Sequence, residues 1–167
     1  MSKALTISAA AAADAAVIAS LRSAVAERLT REHGRGHWSS CVTEKAVLRD
    51  IKNRRVLIAR HCSAIVATLS LATRKPWAID ISYFTPVTKA LYLHSMAVAP
   101  DVQRRGLGRQ LLAQARKVAR DSLSDAIRLD AYDGPAGAGS FYAVAGFREV
   151  GRVVYRRTPL VYFELLL

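Results

Sequence analysis

The sequence predicts a single α/β domain covering residues 1–167, and three observations support this. A chain of 167 residues suits one ordinary domain. Half of its residues (51%) are hydrophobic, which is enough for a sizeable core. Apolar residues with strand-like and helix-like periods also alternate along the chain, in the order β-α-α-β-β-β-α-β-α-β-β.

The first half of the chain is predicted to contain strands, two helices and a hairpin. A short strand around Leu5–Ser8 comes before a helix with one apolar face (Val17, Ile18, Leu21, Val25, Leu29). Thr43 is the predicted N-cap of a second helix, with Glu44 in its first turn. The β-rich runs Val56–Arg60 and Ala64–Ala72 then form a hairpin around residues 61–63.

The second half is predicted to hold four strands and two helices. Thr73–Lys89 contains two prolines and is expected to be a loop or an irregular edge strand. The following elements are a strand at Ala90–Ala99, a helix with apolar residues from Leu107 to Ala119, a strand at Ile127–Ala131, a short helix capped by Gly146, and strands at Phe147–Tyr155 and Leu160–Leu167 around a turn at Thr158-Pro159.

Bulk composition narrows the classes of protein. The chain has 25 Lys and Arg against 13 Asp and Glu, a formal charge of +12 that favours nucleic acid, a membrane surface or a polyphosphorylated cofactor as partner. For most of the arginines, a solvated surface position is the expectation. Cys41 and Cys62 form no C-x-x-C or Cys/His cluster, so we expect two small buried thiols, no metal and no disulfide.

The alanine-rich start resembles a secretory signal, but Asp14 interrupts it and the helical apolar pattern continues beyond it. No apolar run reaches the roughly 18–20 residues that span a bilayer. The expectation is a soluble, cytoplasmic protein without membrane partners.

The segment Gln103-Arg104-Arg105-Gly106-Leu107-Gly108-Arg109 is the most informative part of the sequence. It places arginines at the start of a helix, where the exposed N–H groups and the macrodipole already favour negative charge. A bound anion would compensate for this arrangement, and the two glycines allow the backbone to approach it closely. Arg109, Arg116 and Arg120 continue as a basic stripe at helical spacing. A P-loop is absent, and Leu111 occupies the place of the third glycine of a dinucleotide fingerprint.

These residues resemble the GNAT superfamily of acetyl-CoA-dependent N-acetyltransferases. The loop matches the family pattern Q/R-x-x-G-x-G/A, and the runs Leu91–Val98 and Phe141–Phe147 resemble the preceding strand and the C-terminal motif. The resemblance implies a mixed, mostly antiparallel central sheet, flanked by about four helices and splayed between its two central strands. It also implies acetyl-CoA as the acyl donor and direct transfer of the acetyl group to a primary amine.

The resemblance assigns roles to particular residues. Tyr142 is expected to be the general acid and His94 the base, although a core or substrate-orienting histidine is equally consistent with the sequence. His94 and Met96 are expected to face the same way on an extended strand. The implied cofactor-binding residues are Met96, Ala97, Val98, Gln103, Arg104, Arg105, Gly106, Leu107, Gly108, Arg109 and Tyr142.

The acceptor pocket is the least defined part of the site. In the family it is formed by the first two helices with their loop and by the turn between the last two strands, which here correspond to Arg35–Ser40, containing His37 and Trp38, and to Arg156–Pro159. Tyr83, Phe84 and Glu164 are further candidates for the pocket lining. The acceptor is a small-molecule or protein amine, and nucleic acid is not expected. Leu165-Leu166-Leu167 fits either a buried strand or a homodimer contact.

Two alternatives remain open at the level of sequence. One is a non-catalytic acyl-CoA-binding regulatory domain, which would keep the fold and lose the chemistry. The other is a basic nucleic-acid-binding module, although no known nucleic-acid-binding motif is present.

Overall fold

A computed structural model describes residues 5–167 and contains the predicted order of elements. The strands are β1 (Leu5–Ala9), β2 (Arg55–His61), β3 (Ala64–Ala72), β4 (Ala90–Val98), β5 (Ala126–Tyr132), β6 (Arg148–Tyr155) and β7 (Thr158–Leu166). The helices are α1 (Ala15–His33), α2 (Glu44–Asn53), α3 (Leu107–Asp121) and α4 (Gly139–Val144), and short 3-10 turns lie at Ala12–Asp14, His37–Ser39, Ile81–Tyr83 and Pro100–Val102.

The strands form a sheet in the order β1-β2-β3-β4-β5-β7-β6. The β1/β2, β2/β3, β5/β7 and β6/β7 pairs are antiparallel, and β4 and β5 are parallel. The parallel ladder runs only from Ala90↔Ala126 to Tyr92↔Arg128, so it covers the start of β4 alone. This confirms the predicted mixed, mostly antiparallel sheet with four helices. Because the β4–β5 ladder ends at Tyr92, the rest of β4 is not paired with β5, as expected for two strands that splay apart.

The described chain divides into two compact units, and β4 and α3 each pass from one unit into the other. The single domain predicted for residues 1–167 stays a prediction. The first unit comprises residues 5–71 and 94–115, and the second comprises residues 72–93 and 116–167. In the parts of the chain that are described, no helix is both long and apolar enough to cross a membrane.

The core of the first unit forms where α1 and α2 pack with β2. Ile18, Val47 and Ile58 are almost completely buried there, as their positions in the apolar patterns predict. Val17 is different, because half of its surface remains exposed. Thr43 is the N-cap of α2 as predicted, and its hydroxyl oxygen accepts a hydrogen bond from the Ala46 N–H (3.2 Å).

A buried polar cluster crosses this first core. The guanidinium of Arg22, on α1, donates to the Asp50 carboxylate (3.0 Å) and to the Ser70 hydroxyl (3.1 Å). Arg54 makes a second ion pair with Asp50 (3.3 Å). Burial lowers the pKa of Arg22, and Asp50 opposes this effect by stabilising the charged form. The Arg22 guanidinium therefore joins α1 to α2 through Asp50 and to β3 through Ser70.

The hairpin of the second unit corrects the predicted turn at Thr158-Pro159. The turn residues are Arg156 and Arg157, with φ values of 46° and 68°, as a two-residue type I′ turn requires. Thr158 and Pro159 already belong to β7. Thr158 closes the turn opposite Tyr155, so Pro159, in the next pair along, takes a non-hydrogen-bonded position where its missing N–H costs nothing.

Residues 73–89 are a loop, as predicted, and polar side chains beneath it hold it in place. The Tyr162 hydroxyl donates to the Ala78 carbonyl and accepts from the Asp80 N–H (3.2 Å). Glu164 accepts from the Thr85 N–H (3.3 Å) and from Arg128 Nε (3.2 Å). Glu164 is almost fully buried, so its proposed place in an acceptor pocket is wrong, and it serves as the partner of a buried arginine instead.

Candidate active site

The loop singled out from the sequence has the backbone of an anion-binding turn. Arg104 and Gly106 have φ values of 63° and 79°, and α3 begins immediately afterwards at Leu107. A Cβ added to Gly106 would have open space around it, so the backbone here is accessible from outside. Gln103 fixes the start of the loop, because its side-chain amide donates to the Val98 carbonyl at the end of β4 (3.0 Å).

The charges around this turn match a negatively charged ligand. The first N–H groups of a helix have no partner within the helix, and they carry the positive end of its dipole. The bond from the Gln110 N–H to the Gly106 carbonyl (3.1 Å) starts the helical ladder, so the N–H groups before it point out of the helix end. Arg104, Arg105 and Arg109 are exposed around this end. The geometry fits the diphosphate expected from the sequence.

The predicted basic stripe along α3 is interrupted at Arg116. Its guanidinium donates to the Ala145 carbonyl at the C-terminal end of α4, where it satisfies a carbonyl that the helix leaves free. Gly146 follows with a φ of 92° and is the C′ residue of α4, as predicted. Arg116 therefore has a structural role in capping α4, and it does not extend the anion site.

A break in the regular strand geometry lies within β4. Ser95 has a φ of 50°, a left-handed conformation that is rare for a residue other than glycine. This agrees with the bulge that the resemblance implies. We expected the side chains of His94 and Met96 to point the same way because residues two apart do so on an extended strand. The left-handed Ser95 lies between them, so the backbone is not extended there and that reasoning does not apply. Beyond the break, Ala97 is buried, and Met96 and Val98 are half-buried.

His94, the predicted base, is half-buried, and its Nε2 makes no hydrogen bond within residues 5–167. Burial and, to a smaller extent, the charge of Arg54 lower the pKa of His94 to about 4, while Asp50 acts in the opposite direction. The imidazole is consequently neutral at physiological pH. It can accept a hydrogen bond or a proton, but it is a weaker base than an ordinary histidine.

Tyr142, the predicted acid, is on α4 and only 7% exposed. Its ring packs against Phe147 and Phe163, with centroids 5.7 and 6.0 Å apart. Burial raises the pKa of the phenol, and the nearby charge of Asp130 raises it further. Tyr142 is therefore protonated at every physiological pH, as a hydrogen-bond or proton donor must be.

The predicted pocket residues do not all belong to the same unit. His37 and Trp38 share one 3-10 turn in the first unit, with their rings edge to face at 5.2 Å, and the Trp38 indole donates to the Gly34 carbonyl (3.1 Å). Their loop and α1 enclose a cavity of about 410 Å³ lined in part by Arg35. Tyr83 lies in the second unit and packs edge to face on Tyr162 (5.5 Å).

Both cysteines are exposed, which corrects the expectation that they are buried. Cys62 occupies the turn of the β2–β3 hairpin with a φ of 59°, and Cys41 lies next to the Ser23 hydroxyl (3.7 Å). Both cysteines lie in loops at the protein surface, where little apolar area is available to bury them.

Two charged residues, one near the predicted acid and one in the first core, were not singled out from the sequence. Asp130 affects the pKa of Tyr142, yet in the sequence it is one polar residue in a strand. Arg22 appears in the sequence as an ordinary charged position of α1 but is 8% exposed. The alternation of polar Arg128 and Asp130 within an apolar run was the available signal, since it shows that one face of β5 is polar.

A family model described as an acetyltransferase (GNAT) domain matches residues 52–149, more than half of the chain. The chain belongs to the GNAT acetyltransferase family. The match includes β4, the loop at Gln103–Arg109 and Tyr142. It confirms the family that the loop and its flanking motifs suggested. No curated protein sequence matches this GNAT chain.

Solved structures with the same fold cover nearly the whole chain. The PaiA N-acetyltransferase of Thermoplasma acidophilum, in complex with coenzyme A, has a TM-score of 0.76 at 14% identity, over 98% of this chain and 99% of its own. YncA of Salmonella typhimurium, solved with its cofactor acetyl-CoA, has a TM-score of 0.71 at 20% identity, over 98% and 94%. The ribosomal-protein-alanine N-acetyltransferase of Brucella melitensis has a TM-score of 0.71 at 20% identity, over 97% and 99%. At these identities the likeness establishes the fold.

Proposed function

We propose that this protein is an N-acetyltransferase that uses acetyl-CoA and transfers the acetyl group directly to a primary amine. The observation that carries the proposal is the turn at Arg104–Gly106, with two left-handed residues, an accessible backbone and three exposed arginines at the start of α3. The turn lies inside the region that matches the GNAT family model. Two proteins of the same fold are in complex with coenzyme A or acetyl-CoA.

The residues present fit this cofactor. The N–H groups between Arg104 and Arg109 would hold its diphosphate, and the arginine side chains would neutralise the charge. The backbone of residues 96–98, beyond the break at Ser95, would pair with the extended pantetheine arm. When bound, acetyl-CoA supplies an activated acetyl thioester.

The proposed chemistry of the chain's own residues follows from their protonation. Tyr142 is the general acid: it hydrogen-bonds to the departing sulfur and gives it a proton, which the phenolate then regains from water. Its raised pKa keeps the phenol protonated at physiological pH and also makes it a weaker acid than a free tyrosine. His94 is the proposed proton acceptor for the amine. With a pKa of about 4, it passes the proton on to water rather than retaining it. Direct transfer is preferred because neither exposed cysteine belongs to this set of residues.

The acceptor is proposed to be an amine on a small molecule or a protein. Among proteins with the same fold, one is named for acetylating the alanine of a ribosomal protein and another for acetylating an aminoglycoside. The fold therefore accommodates both kinds of acceptor, and an amine panel must include both.

The test is a thiol-release assay over a panel of small amines and peptide N-termini, with Tyr142→Phe as the matched variant. Phenylalanine keeps the packing against Phe147 and Phe163 and removes only the donor. We expect turnover to fall by at least about 100-fold, the lower range for general acid catalysis. Equal turnover in both proteins would remove Tyr142 from the mechanism.

The same measurements separate the two alternative functions. Tight binding of coenzyme A without turnover on any amine would favour a non-catalytic acyl-CoA-binding domain. Salt-dependent polynucleotide binding without coenzyme A binding would favour a nucleic-acid-binding module.

A further inference from the structure

The buried polar cluster of the first unit lies beside His94. The Ala99 N–H, just past the end of β4, donates to the Val66 carbonyl near the start of β3 (2.8 Å), and these strands are neighbours in the sheet. The two strands therefore run in opposite directions. Counting the same number of residues back along β4 and forward along β3 from this bond places Ser70 level with the residue that follows His94. Because Ser70 accepts a hydrogen bond from Arg22, the cluster extends to the candidate base.

This cluster carries one more positive charge than negative charge. The guanidinium groups of Arg22 and Arg54 share the single carboxylate of Asp50 (3.0 and 3.3 Å). A carboxylate neutralises one guanidinium, and a charge removed from water is costly without a partner. In the part of the chain that the structure describes, Asp50 is also the carboxylate that acts on His94, which is itself neutral at physiological pH. One positive charge is therefore left over.

Two buried nitrogen atoms of the cluster have no hydrogen-bond partner within residues 5–167. They are the Nε of Arg22, a side chain that is only 8% exposed, and the Nε2 of His94. Arg54 is the charged member that a ligand can reach, because its side chain is 34% exposed. The cluster thus presents a partly exposed guanidinium next to the candidate base.

A carboxylate is the group that fits this surplus charge. The planar guanidinium can pair with both oxygens of a carboxylate through parallel hydrogen bonds. A carboxylate also brings the single negative charge that the cluster lacks, whereas an additional ammonium group would be repelled. The whole chain favours the same kind of molecule, because its formal charge of +12 attracts anionic acceptors and repels polycationic ones.

We propose that Arg54 binds a carboxylate of the acceptor, so that the acceptor is an amine that also carries an acid group, as amino acids do. The inference rests on the proposed acetyltransferase function, and it names the class of substrate and the residue that selects it. Asp50 holds the Arg54 guanidinium, and Arg22 holds Asp50 from the buried side.

The same contact strengthens the base. In the free protein, burial and, to a smaller extent, the charge of Arg54 lower the pKa of His94. A carboxylate bound to Arg54 offsets that charge, so the imidazole accepts a proton more readily while the acceptor is in place. An amine without an acid group leaves the imidazole as weak a base as it is in the free protein.

The first test compares acetate with acetamide, two probes of nearly the same shape that differ in charge. The protein is saturated with coenzyme A, which keeps acetate from the diphosphate turn, and the ionic strength is held constant. The ring resonance of His94, identified by its loss in His94→Gln, is followed by NMR. We expect acetate to raise the pKa of His94 in a saturable way, by about one pH unit, as a nearby opposite charge does, and acetamide to leave it unchanged.

Two variants separate Arg54 from the generally basic surface. Arg54→Gln should abolish the response to acetate. Arg49→Gln removes an exposed arginine from α2 and is the matched control, with the wild-type response expected. The inference is overturned if acetate and acetamide act alike on the wild type, which needs no variant, or if Arg54→Gln responds to acetate as the wild type does.

The second test uses turnover to examine the acceptor itself. The thiol-release assay compares L-alanine with L-alaninamide and L-phenylalanine with L-phenylalaninamide. The amides have the less basic amine, so a preference for the acids cannot come from the amine. We expect the KM of each acid to be about tenfold or more below the KM of its amide, as a charge-assisted hydrogen bond provides, and Arg54→Gln to remove the difference.

Failure of this inference differs from failure of the proposed function. If coenzyme A binds and amines are acetylated, but the amides are as good as the acids or better, the carboxylate site is wrong and the enzyme stands. If coenzyme A does not bind and no amine is acetylated, the function itself fails, and the proposed acceptor site fails with it.

Discussion

Replacing His94 by glutamine tests whether the imidazole is held neutral by its surroundings. In the unfolded chain, a histidine becomes protonated as the pH falls below about 6.5, whereas His94 in the folded protein resists protonation until about pH 4. Between these values the unfolded state binds the extra proton, so the folded state loses stability as the pH falls. At pH values above about 7, neither state is protonated at this position and the effect vanishes.

The size of the effect follows from the two pKa values. The full gap between them corresponds to about 3 kcal/mol, and linkage assigns about 2 kcal/mol of it to the interval from pH 8 to pH 5. We therefore expect the free energy of unfolding, measured with urea at both pH values, to fall by about 2 kcal/mol more in the wild type than in His94→Gln. The three other histidines are present in both proteins, so their contributions cancel. Equal losses in the two proteins would show that His94 titrates normally and that its burial has been misjudged.

Three other predictions follow from named contacts. Arg54→Gln should raise the pKa of His94, because Arg54 places a positive charge near the imidazole. The pKa is measured by NMR titration of the ring protons, and an unchanged or lower pKa in the variant would contradict this reasoning. Glu164→Gln should lower the free energy of unfolding by about 3–5 kcal/mol, because it leaves Arg128 buried without its counter-charge; Glu149→Gln, which removes an exposed ion pair with Arg152, should change stability little, and similar losses in the two variants would contradict the account. Thr43→Ala should cost about 1 kcal/mol through the lost cap of α2, and Thr43→Ser should restore it; a serine variant as unstable as the alanine variant would rule out capping as the cause.

Features that depend on neighbouring residues were predictable from the sequence. The N-cap at Thr43, the C′ residue Gly146 and the loop from Gln103 to Gly108 all combine residue type with position in a local pattern. The order of elements followed from the periods of the apolar residues, and the family followed from the loop and its two flanking motifs.

Features that depend on strand register or burial were beyond the sequence. The sequence predicts a turn at Thr158-Pro159, yet Pro159 belongs to β7, where it occupies a non-hydrogen-bonded pair. Helical spacing places Arg116 in a basic stripe, but its guanidinium donates to the Ala145 carbonyl, a contact that the sequence does not show. The weak basicity of His94 likewise comes from burial and from Arg54, forty residues earlier in the chain.

The most direct test of the central claim, that the turn at Gln103–Gly108 binds the cofactor's diphosphate, is a calorimetric titration of coenzyme A into the wild type, Gly106→Ala and Gly34→Ala. The two glycines share a φ of 79° and open surroundings, so alanine meets no steric clash at either site but must adopt a positive φ that strains the backbone. We predict saturable binding by the wild type and Gly34→Ala, and binding about tenfold or more weaker by Gly106→Ala, because only Gly106 lies in the proposed turn. No binding by the wild type, or equal affinities in the two variants, would contradict the claim.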